Sequence, residues 1–282
     1  MSFTPVKGVP GTLRDQITQT FIIACEEDTQ LLERSLTQEG IQYQVLRQQP
    51  IDPSLGYSRS YLCLMNHVRA WERIAASGQA GLIIEADFVP VEGFGNLPLP
   101  CDVTKPTTGI AWLYTCAPQI YSVTDRGYAE GFSVSTVAYL VTASSAERLL
   151  LFAARVRLEY GEYCYTPWDS RLEEALRNDG FTNYIPFRNY GEHGGIPNPE
   201  HWQNRQIWKQ FSAVHRADTL YGKLSFRPIY ARTNWEFWQI RSYARLKGVG
   251  RLFSGRLLRL AIVQRSSVPW RLIRFALIRQ LF

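Results

Sequence analysis

Long hydrophobic runs are missing from this 282-residue chain. No apolar stretch approaches the ~18 residues of a membrane-spanning helix, and the "FIIAC" at 21–25 is too short for the apolar core of a signal peptide. Paired cysteines are missing as well. Cys25, Cys63, Cys101, Cys116 and Cys164 are scattered, odd in number and form no C-x-x-C. That argues against a disulfide framework and a zinc ribbon, and fits reduced thiols in a cytoplasmic protein. The absence of H-E-x-x-H, G-x-S-x-G and a P-loop leaves zinc proteases, serine hydrolases and Walker-type NTPases without support. No internal repeat or low-complexity segment breaks the chain. Acidic residues are the last deficit: none occurs after Glu236.

What is present describes a globular protein. Hydrophobic residues make up 45% and charged residues 20%, enough for a sizeable core. Eight Trp and fifteen Tyr suit either core packing or the floor of a site for flat or sugar-like ligands. The net charge of +6 is unevenly placed: the tail beyond Glu236 carries nine Arg and one Lys, and the remainder is net acidic. Residues 1–236 therefore read as an acidic body, and 237–282 as a basic amphipathic tail.

The body alternates strand and helix signals, which predicts an α/β sheet covered by helices. Strands are expected at "TFIIAC" (20–25), "IQYQVLRQ" (41–48), "AGLIIEAD" (80–87), "GIAWLYTCA" (109–117), "STVAYLVTA" (135–143) and "TNYIPF" (182–187). Helices are expected at 26–40, 58–78, 144–161 with Ser144 or Ser145 as N-cap, and 167–180. "NYGEHGGIPNPEH" is dense in Gly, Pro and Asn and reads as a loop.

The stretch "GLIIEADFVP" (81–90) carries the strongest chemical signal. Glu85 and Asp87 end an apolar strand with only Ala86 between them. On extended backbone, side chains two apart share a face, and like charges so placed usually share a cation or a proton. Ligands of open α/β sheets bind beyond the carboxyl ends of strands, where this pair is expected.

The segment "YLCLMNHVRAWERIAASGQAGLIIEADFVP" resembles the core of glycosyltransferase family 25, the lipooligosaccharide-type hexosyltransferases. Cys63, His67 and Trp71 fall at the spacing of that family's Cys, Ser-His and Trp, and "LIIEAD" stands where its Glu-Asp-Asp triplet belongs. "STVAYLVTASSAERLL" is similar to its strand and Ala-rich helix, and "TPWDSRL" places Asp169 on the Asp of its Pro-x-Asp motif. The match spans roughly residues 20–190. Three departures stand out: Asn66 replaces the Ser of Ser-His, Ala86 replaces the middle acid, and "CEEDTQLLERS" is acidic where the family is Asn- and Arg-rich.

The resemblance implies a GT-A-like nucleotide-binding sheet flanked by helices, followed here by a basic helical tail. It implies an inverting transfer of a hexose from a nucleotide sugar, often a UDP-hexose, to a glycan or lipid-linked acceptor, assisted by Mn2+ or Mg2+. Asp87 becomes the expected metal ligand, with Glu85 either a second ligand or an orienting group, and His193, beside Gly194 and Gly195, a further ligand. Glu85, Asp87, His67 and Arg59 are the expected cofactor-binding residues, and Asp169 the base that takes the acceptor proton. His201 is a weaker candidate. A catalytically silent relative that binds a nucleotide sugar or glycan is the alternative that Ala86 keeps open. Nucleic acid is not expected, because no reader motif accompanies the basic tail. Arg and Lys among bulky apolar residues suit peripheral attachment to the anionic inner face of a membrane, and Gly248, Gly250, Gly255 and Pro269 are expected to break the tail into short helices.

Overall fold

A computed structural model describes residues 11–49, 52–196 and 216–282. In chain order its elements are α1 (Leu13–Gln16), β1 (Thr20–Ala24), α2 (Gln30–Gln38), β2 (Gln44–Arg47), α3 (Arg59–Ser77), β3 (Gly81–Glu85), β4 (Phe88–Pro90), β5 (Thr108–Trp112), β6 (Gln119–Val123), β7 (Ala129–Phe132), β8 (Ala138–Val141), α4 (Ala143–Tyr160), α5 (Leu172–Asn178), β9 (Thr182–Ile185), β10 (Gly191–His193), α6 (Asn234–Phe253), α7 (Leu260–Arg265) and α8 (Pro269–Leu281). The architecture is mixed α/β, a large central sheet flanked by helices. Eight strands run in the order β2-β1-β3-β8-β5-β9-β7-β6, and β4 pairs with β10 in a separate two-stranded sheet.

β1 is parallel to β2 and β3, β5 is parallel to β9, and β8 runs antiparallel between β3 and β5. The carboxyl ends of β1, β3, β5 and β9 therefore share one edge of the sheet. Period-two alternation splits each strand between two cores. Phe21, Ile23 and Ile83 pack with Trp71 and Ile74 of α3 and Phe152 of α4, while Ile22, Leu82 and Ile84 pack with Leu32 and Leu36 of α2. Both faces of the central strands are covered, which is why they read as continuous apolar runs.

Helix ends follow their chemistry. Ser58 caps α3 by accepting from the Tyr61 N–H (3.1 Å), and Gly78 ends it in the left-handed region at φ 71°. The cap of α4 is Thr142, not the expected Ser144 or Ser145. Thr142 Oγ1 accepts from Ser145 N (3.2 Å) while Ser145 Oγ accepts from Thr142 N (2.9 Å), a reciprocal box that sets the cap two or three residues ahead of the expected position.

Other elements depart from expectation. β4, β6 and β7 were not foreseen, and the predicted loop at 189–201 contains β10. Gly248 and Gly250 do not break the tail; both lie inside the 20-residue α6. Gly248 permits a close approach instead, since a Cβ there would press on Asp218 and Gln280. Gly255 does break the chain, at φ 68°, and Pro269 opens α8 at its first turn. Leu257, Leu272, Phe275 and Ala276 join the same buried cluster as Ile83 and Trp112, so the tail helices share the core of the body.

Candidate active site

The chain leaves the main sheet where the sequence signal is strongest. β3 ends at Glu85, Ala86 and Asp87 form a turn, and Phe88 begins β4 in the other sheet. Ala86 N–H still bonds to Ile23 O (2.8 Å), tying the turn to β1. Asp87 is thus not on extended backbone, and the expectation that it shares a strand face with Glu85 is corrected. Glu85 keeps the face of Ile83, towards α3. Asp87 faces β10.

Glu85 is held by a buried chain of side chains. The Trp71 indole donates to Tyr139 Oη (2.9 Å), and Tyr139 Oη lies 2.8 Å from His67 Nδ1. His67 Nε2 lies 3.2 Å from Glu85 Oε1, and Thr136 donates to the same oxygen at 2.6 Å. An ionised carboxylate only accepts, so the ring proton belongs on Nε2, and Nδ1 is left to accept from Tyr139. Both bonds fall on Oε1, which leaves Oε2 for a ligand. His67 is fully buried and spends both ring nitrogens on protein partners. The expected direct contact of His67 with a cofactor is therefore replaced by a hold on Glu85.

Asp87 meets His193. Antiparallel pairing sets His193 opposite Phe88, and His193 Nε2 lies 2.8 Å from Asp87 Oδ2. Gly194 N–H donates to Asp87 O (2.7 Å). The Gly-Gly pair is what allows this approach, because a Cβ on Gly195 would collide with the Asp87 carboxylate. The Arg216 guanidinium, stacked 3.8 Å from the Tyr230 ring centroid, donates to the carbonyls of His193 and Gly195 and pins the turn from outside. Glu192, fully buried, accepts from His193 N (3.0 Å) and Ala217 N (2.8 Å) and pairs with Arg241 of α6.

The electrostatics follow from this packing. Burial opposes ionisation of Asp87, but His193 and Arg216 outweigh it and hold its carboxyl below the ordinary value. Burial likewise disfavours the His193 imidazolium, yet the Asp87 charge and hydrogen bond raise its pKa. Asp169 lies in a turn of 3-10 helix (Trp168–Arg171), where its Oδ1 accepts from Ser170 N (2.9 Å). Burial, with Glu85 adding to it, pushes the Asp169 carboxyl up to about 6. The Cys63 thiol is pushed well up by burial and then by the charges of Glu85, Asp169 and Asp87, so these carboxylates converge on one place.

Among the described residues, Asp87 and His193 are a pair that could hold a divalent cation. Asp87 Oδ1 is buried and has no hydrogen-bond partner, while Oδ2 is shared with His193. An orphaned carboxylate oxygen beside an imidazole fits a hard cation whose remaining ligands are water and phosphate oxygens. Glu85 does not complete that set. Among the described residues, the trio of Cys, His, Asp or Glu ligand atoms drawn within 4.8 Å of one another is Cys63, His67 and Glu85, without Asp87 or His193. Glu85 is thus not drawn together with Asp87 and His193, and its part as a further ligand or as an orienting group stays a proposal. Arg59 opens α3 as an exposed residue near Cys25, just past β1. His201 lies outside the described residues.

Thr136, Tyr139, Glu192, Arg216 and Arg241 had no part in the sequence-derived site. Only Glu192, adjacent to His193, carried any local signal.

No protein-family model matches the chain, and no curated protein matches it in sequence, so the resemblance to glycosyltransferase family 25 rests on its motifs alone. Solved structures show a distant likeness of shape. A glycosyltransferase involved in glycosylation of the major capsid of PBCV-1 aligns with a TM-score of 0.40 and 11% identity over 60% of this chain and 82% of that one. A mutant of Drosophila β1,4-galactosyltransferase 7, in complex with manganese, UDP-Gal and xylobiose, gives 0.39 and 11% over 70% and 79%. The catalytic domain of the same enzyme with xylobiose gives 0.37 and 11%. At these values the likenesses assign no residue, ligand or activity to this chain.

Proposed function

We propose that the chain is a metal-assisted glycosyltransferase that moves a hexose from a nucleotide sugar, a UDP-hexose being the first choice, to a hydroxyl of a glycan or glycolipid. One observation carries the reading: the unpartnered, buried Asp87 Oδ1 beside His193, at the same strand-end edge as a carboxyl group whose pKa is raised to about 6. Asp87 and His193 would hold Mn2+ or Mg2+, which when bound supplies Lewis-acid neutralisation of a departing diphosphate. The chain's own residues do the rest. Asp169, ionised above about pH 6, takes the acceptor hydroxyl proton as the new C1–O bond forms and the bond from C1 to the diphosphate oxygen breaks. Attack from the face opposite the leaving group inverts the anomeric carbon. Glu85, fixed through Oε1, offers Oε2 to a donor hydroxyl or a metal-bound water.

The test is a screen of nucleotide sugars for donor turnover with Mn2+, with chelator, and with Asp87→Asn. Turnover that chelator abolishes and Asp87→Asn loses is the expected result. No turnover of any donor, with nucleotide-sugar binding retained, would establish the silent relative instead. Turnover in chelator by Asp87→Asn would sink the metal assignment.

The tail supports a location for the acceptor. Trp235, Trp238, Leu246, Phe253, Leu260 and Trp270 are each at least 64% exposed among cationic neighbours, and no helix of the described residues is long and apolar enough to cross a membrane. Aromatic and basic groups together suit the surface of an anionic bilayer, so the chain would reach a lipid-linked acceptor from the inner face. Sedimentation of the full chain with phosphatidylglycerol vesicles at low salt is the expected result, reduced by Trp238→Ser with Trp270→Ser. Absence of binding would overturn this location.

A further inference from the structure

The cations of α6 are distributed unlike those of an ordinary solvated face. Arg241, Arg245, Gly248 and Arg251 recur at helical spacing on the side turned to the body, where Ala244 and Gly248 are buried. Two acids meet this side. Glu192 takes Arg241, and Asp218 takes the fully buried Arg279 of α8 at 2.8 Å, with Gln280 Nε2 at 2.6 Å on the same oxygen. Asp218 is then saturated, because its other oxygen accepts from Asn189. Arg188, Arg245 and Arg251 reach no carboxylate of the described residues within ion-pair distance.

Their polar contacts are thin. Arg245 Nη1 reaches Arg279 O at 3.5 Å, and Arg251 Nη2 donates to Pro118 O at 3.1 Å. Arg188 stacks 5.6 Å from the Phe187 ring centroid. Arg188 Nε and Arg251 Nε are buried donors without partners. Burial and the neighbouring charges of Arg188, Arg279 and Arg241 push the pKa of Arg245 down, against the help of Asp218. Such a cluster is costly in the free protein, since like charges repel and orphaned donors lose their hydration. It is stabilised by an anion rich in acceptors.

Its place in the fold says which anion. Arg188 follows the carboxyl end of β9, on the edge shared with Glu85. Arg241 bonds to Glu192, the neighbour of His193. The Cys116 thiol, pushed up first by burial, lies within reach of the charges of Asp169, Arg251 and Lys247 alike. The cluster and the carboxylates are therefore two parts of one edge. We propose that Arg188, Arg245 and Arg251 form a binding site for a phosphate group of a substrate, contiguous with the Asp87–His193 centre. The word substrate rests on the glycosyltransferase reading; the anion site itself does not. The phosphate belongs either to the donor diphosphate or to a phosphate-linked acceptor.

Titration calorimetry with inorganic pyrophosphate in EDTA, at physiological salt, tests the site without any metal and on Asp87→Asn as well as wild type. Binding is expected in both. In Arg188→Gln with Arg245→Gln the Kd should rise about tenfold or more, as for loss of charge-assisted bonds, whereas exposed Arg155→Gln on α4 should leave it unchanged. Removing the repelling charge should not lower the ligand-free Tm of Arg188→Gln, which a purely structural role for Arg188 would do. Competition by UDP with Mn2+ would identify the donor diphosphate as the source, and pyrophosphate binding undisturbed by saturating UDP would identify the acceptor. No pyrophosphate binding by wild type, an unchanged Kd in the double variant, or an equal loss in Arg155→Gln would overturn the site. Because the pyrophosphate titrations that decide the site are read in chelator, and only the competition that names its source uses Mn2+, failure of the metal chemistry and failure of the anion site give different results.

Discussion

The two ends of this sheet edge solve opposite charge problems. Around Glu85, Asp87 and Asp169, carboxylates outnumber cations; around Asp218, guanidinium groups outnumber acids. At the acidic end the excess is relieved by imidazole contacts on Asp87 and Glu85 and by a raised Asp169 pKa, which lets that carboxyl take up a proton below about pH 6. Arginine has no such outlet, since its guanidinium stays charged at any working pH. The basic end relieves part of its excess through two buried ion pairs and leaves the rest facing the edge. The acidic end is therefore tuned by protonation and the basic end by occupancy.

The largest effect that would sharpen this contrast is at Asp169. Asp169→Asn should lower turnover by about 10²–10⁴-fold, the usual worth of a general base, with little change in donor affinity. The wild-type rate should rise with pH through about 6 and then level, because the base works only when ionised; the variant should lose that rising limb. The stability sign is the reverse. A folded pKa above the unfolded 3.8 means stability present at low pH that is lost as pH rises through about 6. Asp169→Asn should thus be no less stable than wild type at pH 8. Wild-type turnover in the variant would remove Asp169 from the site.

Next in size is the clamp at Asp218. Arg279→Met leaves a buried carboxylate with neutral partners only, and should cost about 3–5 kcal/mol in urea unfolding. The smallest effect belongs to an exposed pair. Arg126, 61% exposed beside Asp102 at 3.1 Å, should cost about 1 kcal/mol or less as Arg126→Gln. Equal costs at the two positions would erase the distinction between a clamp that fixes α8 and a solvated surface pair.

Long apolar strands and well-punctuated helices were legible in the sequence. β1, β3, α3 and α4 fall within a residue or a few of their expected bounds, because both sheet faces are buried and Gly78 stops α3. β7 was not legible: "AEGF" has weak strand character, and Gly131 is there because a Cβ would collide with Gln119 O. α6 runs through two glycines because Gly248 buys contact with Asp218, a tertiary reason invisible in the pattern. At the site, Asp87, His193 and Asp169 were visible as residue types in telling places. The split between Glu85 and Asp87 was not, since it depends on the chain changing sheets at Ala86. Thr136, Tyr139 and Arg241 lie 51, 72 and 49 residues from their partners Glu85, His67 and Glu192, beyond any local signal.

The handover from β3 to β4 also sets an order of assembly. Asp87 and His193 touch across 106 residues, through a two-stranded sheet whose second strand comes after every strand of the central one. Closing so long a loop costs entropy that only a nearly finished core can offset. The contact is therefore expected to form after the rate-limiting step of folding, with a φ-value near zero as the measurement that checks it. Substitutions at Asp87 or His193 should move the unfolding limb of a chevron and leave the refolding limb in place, so the chemistry of this edge is free to vary without slowing the formation of the fold that carries it.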